Sequence, residues 1–215
     1  MPRKWLAAIG AAAVLAVLAI VQTAAPGGQT VAATPFLALS RVPVPEMPAQ
    51  AAELVAATTE LDRETTAAAV MRAVATTARP GVMPYVVSAI CQRTPRVAGT
   101  VVATAIQLHP DDELTFCQAA LCAAPDQVGP VVTVACTAAP NSFANVAAIA
   151  HHLDPSADPL ILDSLTNALP AVKPYLDQAS HQNGVTNFTT LLRQTVQLIN
   201  EDGKGKPPGQ PAFQW

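Results

Sequence analysis

Seven prolines, Pro80, Pro95, Pro110, Pro125, Pro140, Pro155 and Pro170, recur at intervals of 15 residues. A fixed internal period marks a repeat architecture, and this one is too short for the helix pairs of the commoner solenoids, which take about 33–47 residues. Fifteen residues hold one short helix and one turn. The period therefore predicts an all-α fold, a solenoid-like stack of short antiparallel helices with one helix per 15-residue repeat.

The columns of the repeat support that reading. With each proline as position 1, position 7 is Val86, Val101, Phe116, Val131, Val146, Ile161 and Leu176, apolar throughout. Position 11 is Ile90, Ala105, Ala120, Ala135, Ala150, Leu165 and Ser180; position 8 stays apolar or small until Asp177. Together with Leu108, Leu153 and several alanines at position 14, these residues follow helical spacing and define one buried stripe. Proline has no N–H to donate and is tolerated only in a first helical turn. Second prolines at Pro84, Pro159, Pro174 and Pro130 set the start of the regular helix near position 5, with Asp158 as the N-cap ahead of Pro159. A helix of about 10 residues is not stable alone in water. The stack must supply the stability.

The ends of the chain differ from its middle. Arg3 and Lys4 precede an apolar run from Trp5 to Val21, then small residues and Pro26-Gly27-Gly28, the order of a secretory signal peptide. Residues 1–25 are read as that peptide, with cleavage as late as residue 33 allowed; left uncleaved, the 17 apolar residues would anchor the chain. Either way the remainder lies outside the cytoplasm, periplasmic, secreted or membrane-anchored. Residues 26–48 read as a Pro-rich linker, and 49–200 as the helical-repeat domain. In that domain Leu54, Leu61, Val70, Met71 and Val74 form a degenerate N-terminal cap. Phe188, Leu191, Leu192, Thr195, Val196 and Ile199 form the stripe of a capping helix over 186–200. Residues 201–215 read as a disordered tail.

Candidate chemistry is sparse. Removing Arg3 and Lys4 from the 12 basic residues leaves 10 against 15 acidic ones, a balance that argues against nucleic acid and anionic lipid. The membrane enters only through the N-terminal segment. Cys91, Cys117, Cys122 and Cys136 all lie in the repeat region, and an even number in an exported chain favours disulfides. The competing account is a small buried hydrophobe. Heights along alternating helices favour Cys91–Cys122 and Cys117–Cys136 if bridges form. Cys91, Cys122, His151 and His181 would run along one edge of the stack, but helices spaced by about 9 Å cannot bring four ligands to one ion. His151 and His152 are read instead as helix C-terminal residues that suit the dipole. Asp111, Asp112 and Glu113 suit a helix N-terminus, and Asp154, Asp158 and Asp163 lack the pattern of a calcium loop. Asn187-Phe188-Thr189 is a glycosylation sequon. No catalytic, metal-binding or cofactor-binding set emerges.

The Pro column and its Ala/Val faces, as in Cys122-Ala123-Ala124-Pro125 and Thr137-Ala138-Ala139-Pro140, resemble the short Ala/Pro-punctuated helical repeats of uncharacterised exported bacterial proteins. The likeness covers residues 65–184. It implies a helical-repeat fold and carries over no active residue; likeness to HEAT and TPR solenoids is architectural only. The expected function is that of an exported, non-enzymatic scaffold or binding module for a protein partner. A membrane-anchored structural envelope protein is the alternative. An enzyme would need clustered polar groups that the columns do not show.

Overall fold

Each repeat turns at the residue that precedes its proline. Steric clash with the proline ring disfavours the helical region for that residue, and Thr94, His109, Ala124, Ala139, Asp154 and Leu169 have φ between −130° and −144° and ψ between 73° and 91°, whereas Asp158 and Lys173, which precede the second prolines at a helix start, stay helical. The same residue serves both neighbours. Its N–H closes the preceding helix on the carbonyl four residues back, as in Ala124 to Ala120, at 2.8–2.9 Å. Its carbonyl accepts from the N–H three residues on, as in Gln127 to Ala124, at 3.0–3.2 Å. One turn of 3₁₀ helix, opened by the repeat proline, then leads into the next α-helix.

The computed structural model describes residues 33–77, 80–181 and 187–204. The helices are α1 (Ala33–Leu39), α2 (Met47–Ala56), α3 (Arg63–Thr77), α4 (Met83–Arg93), α5 (Ala98–Leu108), α6 (Glu113–Ala123), α7 (Val128–Ala138), α8 (Phe143–Leu153), α9 (Asp158–Ala168), α10 (Lys173–Ser180) and α11 (Phe188–Lys204). The one-helix repeat is therefore the real unit. From α4 to α9 the α-helix runs from position 4 to position 14, 11 residues each. It starts one residue before the expected position 5, because Pro84 and Pro159 sit second in their helices, where no intrahelical N–H bond is required. Asp158 is accordingly the first residue of α9 and not its cap.

Packing sorts the helices into two layers. From α1 to α7 each helix contacts the helix two places along more extensively than its immediate successor, giving one row of α1, α3, α5, α7 and α9 and another of α2, α4, α6 and α8. Because successive helices reverse direction, members of a row are parallel. Helix α11 packs on α8 and α10 and closes the C-terminal end, with Phe188, Leu192 and Thr195 buried. The Thr195 hydroxyl donates to Leu191 O at 2.9 Å, so its burial leaves no polar group unpaired.

The core lies between the rows. Position 7 is buried in every unit, and positions 8 and 11 are buried through Ala147 and Leu165. Positions 4 and 12 also belong to the core, through Met83, Ala98, Val128 and Phe143 and through Cys91, Ile106, Leu121 and Cys136. Position 14 does not: Leu108 is half-buried, Ala138 exposed and Leu153 39 % exposed. It lies within about 20° of position 7 around the axis, but it is two turns further on, the last residue of each helix from α4 to α9. Leu61, expected in the N-terminal cap, is 94 % exposed because it falls in the α2–α3 turn. The stack also begins earlier than expected. Residues 33–39 form α1, which packs on α3 and buries Leu39, so prolines here punctuate short helices as they do in the repeats. At the other end α11 continues to Lys204. The proposed signal segment and the tail beyond residue 204 lie outside the described residues.

Small residues set the spacing within a row. Gly99 and Gly129, both at position 5, face the next helix of their row. A Cβ at Gly99 would meet Val134 and Pro130 at 3.6–3.7 Å, an ordinary contact, whereas one at Gly129 would meet Ser164 Oγ at 3.3 Å and Leu160 Cδ1 at 3.4 Å. Gly99→Ala should therefore stabilise the fold by about 0.5–1 kcal/mol through reduced backbone entropy, read as a higher urea midpoint. Gly129→Ala should gain less, since Ser164 must move.

Candidate functional site

The polar group with the most developed geometry joins three helices. His151 in the last turn of α8 places Nδ1 2.6 Å from Oδ1 of Asp158, the first residue of α9, with the two side chains 26 % and 30 % exposed. The face of the imidazole stacks on Phe188 of α11, with ring centroids 4.8 Å apart and planes inclined at 19°. No serine, threonine or cysteine side chain hydrogen-bonds to either residue among the described residues. The arrangement ties α8, α9 and the closing helix together and presents no nucleophile. The dipole reading suits His152, which is exposed in the same turn, but accounts for only part of His151.

The other acids and histidines separate. Asp154 accepts from Ser156 N at 3.0 Å and Ser156 Oγ at 2.6 Å and so holds its own turn. Asp163 bonds Asn167, and Asp111, Asp112 and Glu113 lie at the entry to α6. His181 is exposed at the end of α10, its Nδ1 2.7 Å from Asp177 O. The Asn187 side chain accepts from Thr190 N at 2.8 Å, an N-cap for α11 that the sequon reading did not anticipate. Among the described residues no three His, Cys, Asp or Glu side chains are grouped to hold a metal ion.

The four cysteines stand as free thiols. Cys91, Cys117 and Cys136 are fully buried, and burial pushes each thiol up to about 12; Glu113 adds to the shift at Cys117, and Cys117 and then Glu113 add to it at Cys136. Cys117 and Cys136 thus share one region of the core on successive helices. Cys122, one position further round its helix than Cys91, is exposed. One residue turns a side chain by about 100°, so Cys91 points inward and Cys122 outward.

The outer surface of the α2–α4–α6–α8 row is a different kind of feature. Positions 5–13 of α4, α6 and α8 contain no Asp, Glu, Lys or Arg. Charged pairs lie beside this stretch: Arg93, the last residue of α4, pairs with Glu53 of α2 at 3.2 Å, and Arg96 with Glu60 in the α2–α3 turn. Positions 6, 9 and 13 form the exposed ridge of each helix, and grooves run between the ridges. One groove of about 430 Å³ lies between α2 and α4, lined by Val44, Pro45, Pro48, Val82, Tyr85 and Ala89 among others. A second of about 460 Å³ lies between α6 and α8, lined by Leu114, Gln118, Ala148, Ile149, His152 and Leu153 among others. Tyr85 stands 69 % exposed on the α4 ridge. The sequence reading missed these residues because it followed the buried columns; the absence of charge at positions 5–13, which α5 and α7 share, does not by itself mark the face. No family model, curated protein or solved structure matches this chain.

Proposed function

We propose that this is an exported, non-enzymatic helical-repeat protein whose α2–α4–α6–α8 outer face binds a protein partner. The observation that carries the reading is the pair of apolar grooves on this face, beside α4, α6 and α8 surfaces without charge over positions 5–13. Interface centres are depleted of charge and enriched in aromatic residues, with polar groups at the rim, and exposed apolar grooves on a regular scaffold mark contact sites. The His151–Asp158–Phe188 cluster supports the scaffold role, since its groups are spent on one another. Ile149→Lys, which charges the α6–α8 groove, is expected to abolish partner retention on immobilised protein. Thr137→Lys on the opposite row should leave it intact. Equal retention by the two variants would refute the assignment of the face.

The apolar run from Trp5 to Val21 supports a second reading, an envelope protein held at the membrane by this segment. Sequencing the N-terminus of the mature protein separates the two. An intact Met1–Val21 segment favours the anchor, and a start between residues 26 and 34 favours release.

A further inference from the structure

A two-fold axis can set ridges of this face into its own grooves. Helices α2, α4, α6 and α8 follow one another in a parallel row, at a spacing of about 9 Å. The α6–α8 groove therefore lies 1.5 spacings from the α4 ridge. A two-fold axis parallel to the helices, three-quarters of a spacing beyond α4, carries the α4 ridge of one copy onto the α6–α8 groove of the other. The same operation carries the α8 ridge onto the α2–α4 groove and the α6 ridge onto the α4–α6 groove. The ridges of α4, α6 and α8 each fall between two helices of the other copy, and that of α2 falls beyond its α8; the same patch serves on both copies, as an isologous interface requires.

We infer that the partner bound by this face is a second copy of the chain, in a two-fold dimer with Tyr85 seated in the opposite α6–α8 groove. The inference rests on the reading that the face binds protein, and it names that protein. Charge permits it: with no Asp, Glu, Lys or Arg at positions 5–13 of α4, α6 and α8, two copies of the face meet without like-charge repulsion. Tyr85 supplies the exposed aromatic anchor typical of interface centres, and Leu114 and Ile149, the groove's larger apolar residues nearest to it in height, supply the seat. Area sets the strength. Three spacings by a helix length of roughly 16 Å give about 450 Å² per copy before corrugation. Both copies together come to about 1,000 Å², the lower bound for a specific interface. The dimer is accordingly reversible and concentration-dependent.

The arrangement places one exposed thiol beside its own symmetry mate. The α6 ridge, which carries Cys122 at position 13, lands half a spacing, about 4–5 Å, to the side of the partner's α6 ridge at the same height. Sedimentation velocity of the purified protein under reducing conditions, from about 5 to 500 µM, should show a monomer–dimer equilibrium. Tyr85→Arg should weaken it at least tenfold without lowering Tm, since the side chain is exposed. Mild oxidation should trap a covalent dimer through Cys122, lost in Cys122→Ser and in Tyr85→Arg. A Cys122→Ser/Thr137→Cys protein, with its thiol on the other row, should trap none. A monomer across the whole range, or a dimer indifferent to Tyr85→Arg, overturns the inference. If Ile149→Lys still abolishes retention of a different protein, the dimer fails and the binding face stands; if neither variant affects any association, both fail.

Discussion

A single alanine inserted after Val132, in the middle of α7, is expected to lower Tm by about 5–15 °C. The insertion advances the rest of the helix by about 100°, so Val134 enters the place of Ala135 and Ala135 that of Cys136. Both places are fully buried, with the neighbouring helices packed around side chains of the original size. Forcing a larger side chain into one and leaving a void in the other costs roughly 2–4 kcal/mol, and for a domain of this size each kcal/mol is worth about 2–4 °C. The same insertion after Asn141 falls in the 3₁₀ turn before α8. It breaks the 3.1 Å bond from Ser142 N to Ala139 O, at a cost of about 1 kcal/mol, while the turn absorbs the added length. Thermal melts of the two variants check the one-helix unit, and equal losses would contradict it.

Alkaline pH should unfold the reduced protein through its buried thiols. Cys91, Cys117 and Cys136 titrate at about 12 in the folded state against an ordinary value of 9.0. Below pH 9 each thiol is neutral in both states and the full stability is present. Between 9 and 12 the unfolded chain releases protons that the folded one retains, so stability falls as pH rises. Each thiol contributes a slope of about 1.4 kcal/mol per pH unit, and three together about 4. Against a total of about 5–15 kcal/mol, cooperative unfolding is expected between about pH 10 and 11.5, followed by far-ultraviolet circular dichroism. The Cys91→Ala/Cys117→Ala/Cys136→Ala protein should start less stable at neutral pH but lose much less between pH 9 and 11. Parallel profiles for the two proteins would rule out the thiols as the cause. The experiment also reads the redox state of the core. A Cys117–Cys136 bridge would leave Cys91 alone to titrate and cut the slope to about a third, and reductant would restore it.

Local chemistry made much of this fold legible in the sequence. A proline every 15 residues disfavours the helical conformation at the residue before it, and where a helix already runs up to that residue, as from α4 to α9, it marks the end. Columns 7, 8 and 11 announced the buried stripe because a helix brings those positions to one face. Positions 4 and 12 were harder to see, since they mix Met83, Glu113, Phe143 and Asp158 in one column and Cys91, Leu121 and His151 in the other. Short or degenerate segments were misjudged where context outweighs composition: Pro35 and Leu39 belong to a helix packed on α3, while Leu61 is left in a turn.

Tertiary structure decided what the repeat columns leave open. The 15-residue period requires helices to stack, but not that each pack most closely on the second helix along the chain. That choice makes two parallel rows and gives the α2–α4–α6–α8 row its own outer face with two grooves. Separation along the chain likewise hid the meeting of His151, Asp158 and Phe188, which depends on how α11 folds back against α8. The neutral exposed positions were present in the sequence from the start; only the row turns them into a continuous surface. Periodicity fixes which side of each helix is buried, because one residue always turns the chain by the same angle. Which helices stand side by side depends on how closely their small side chains let the backbones approach, and that is settled only in the packed array.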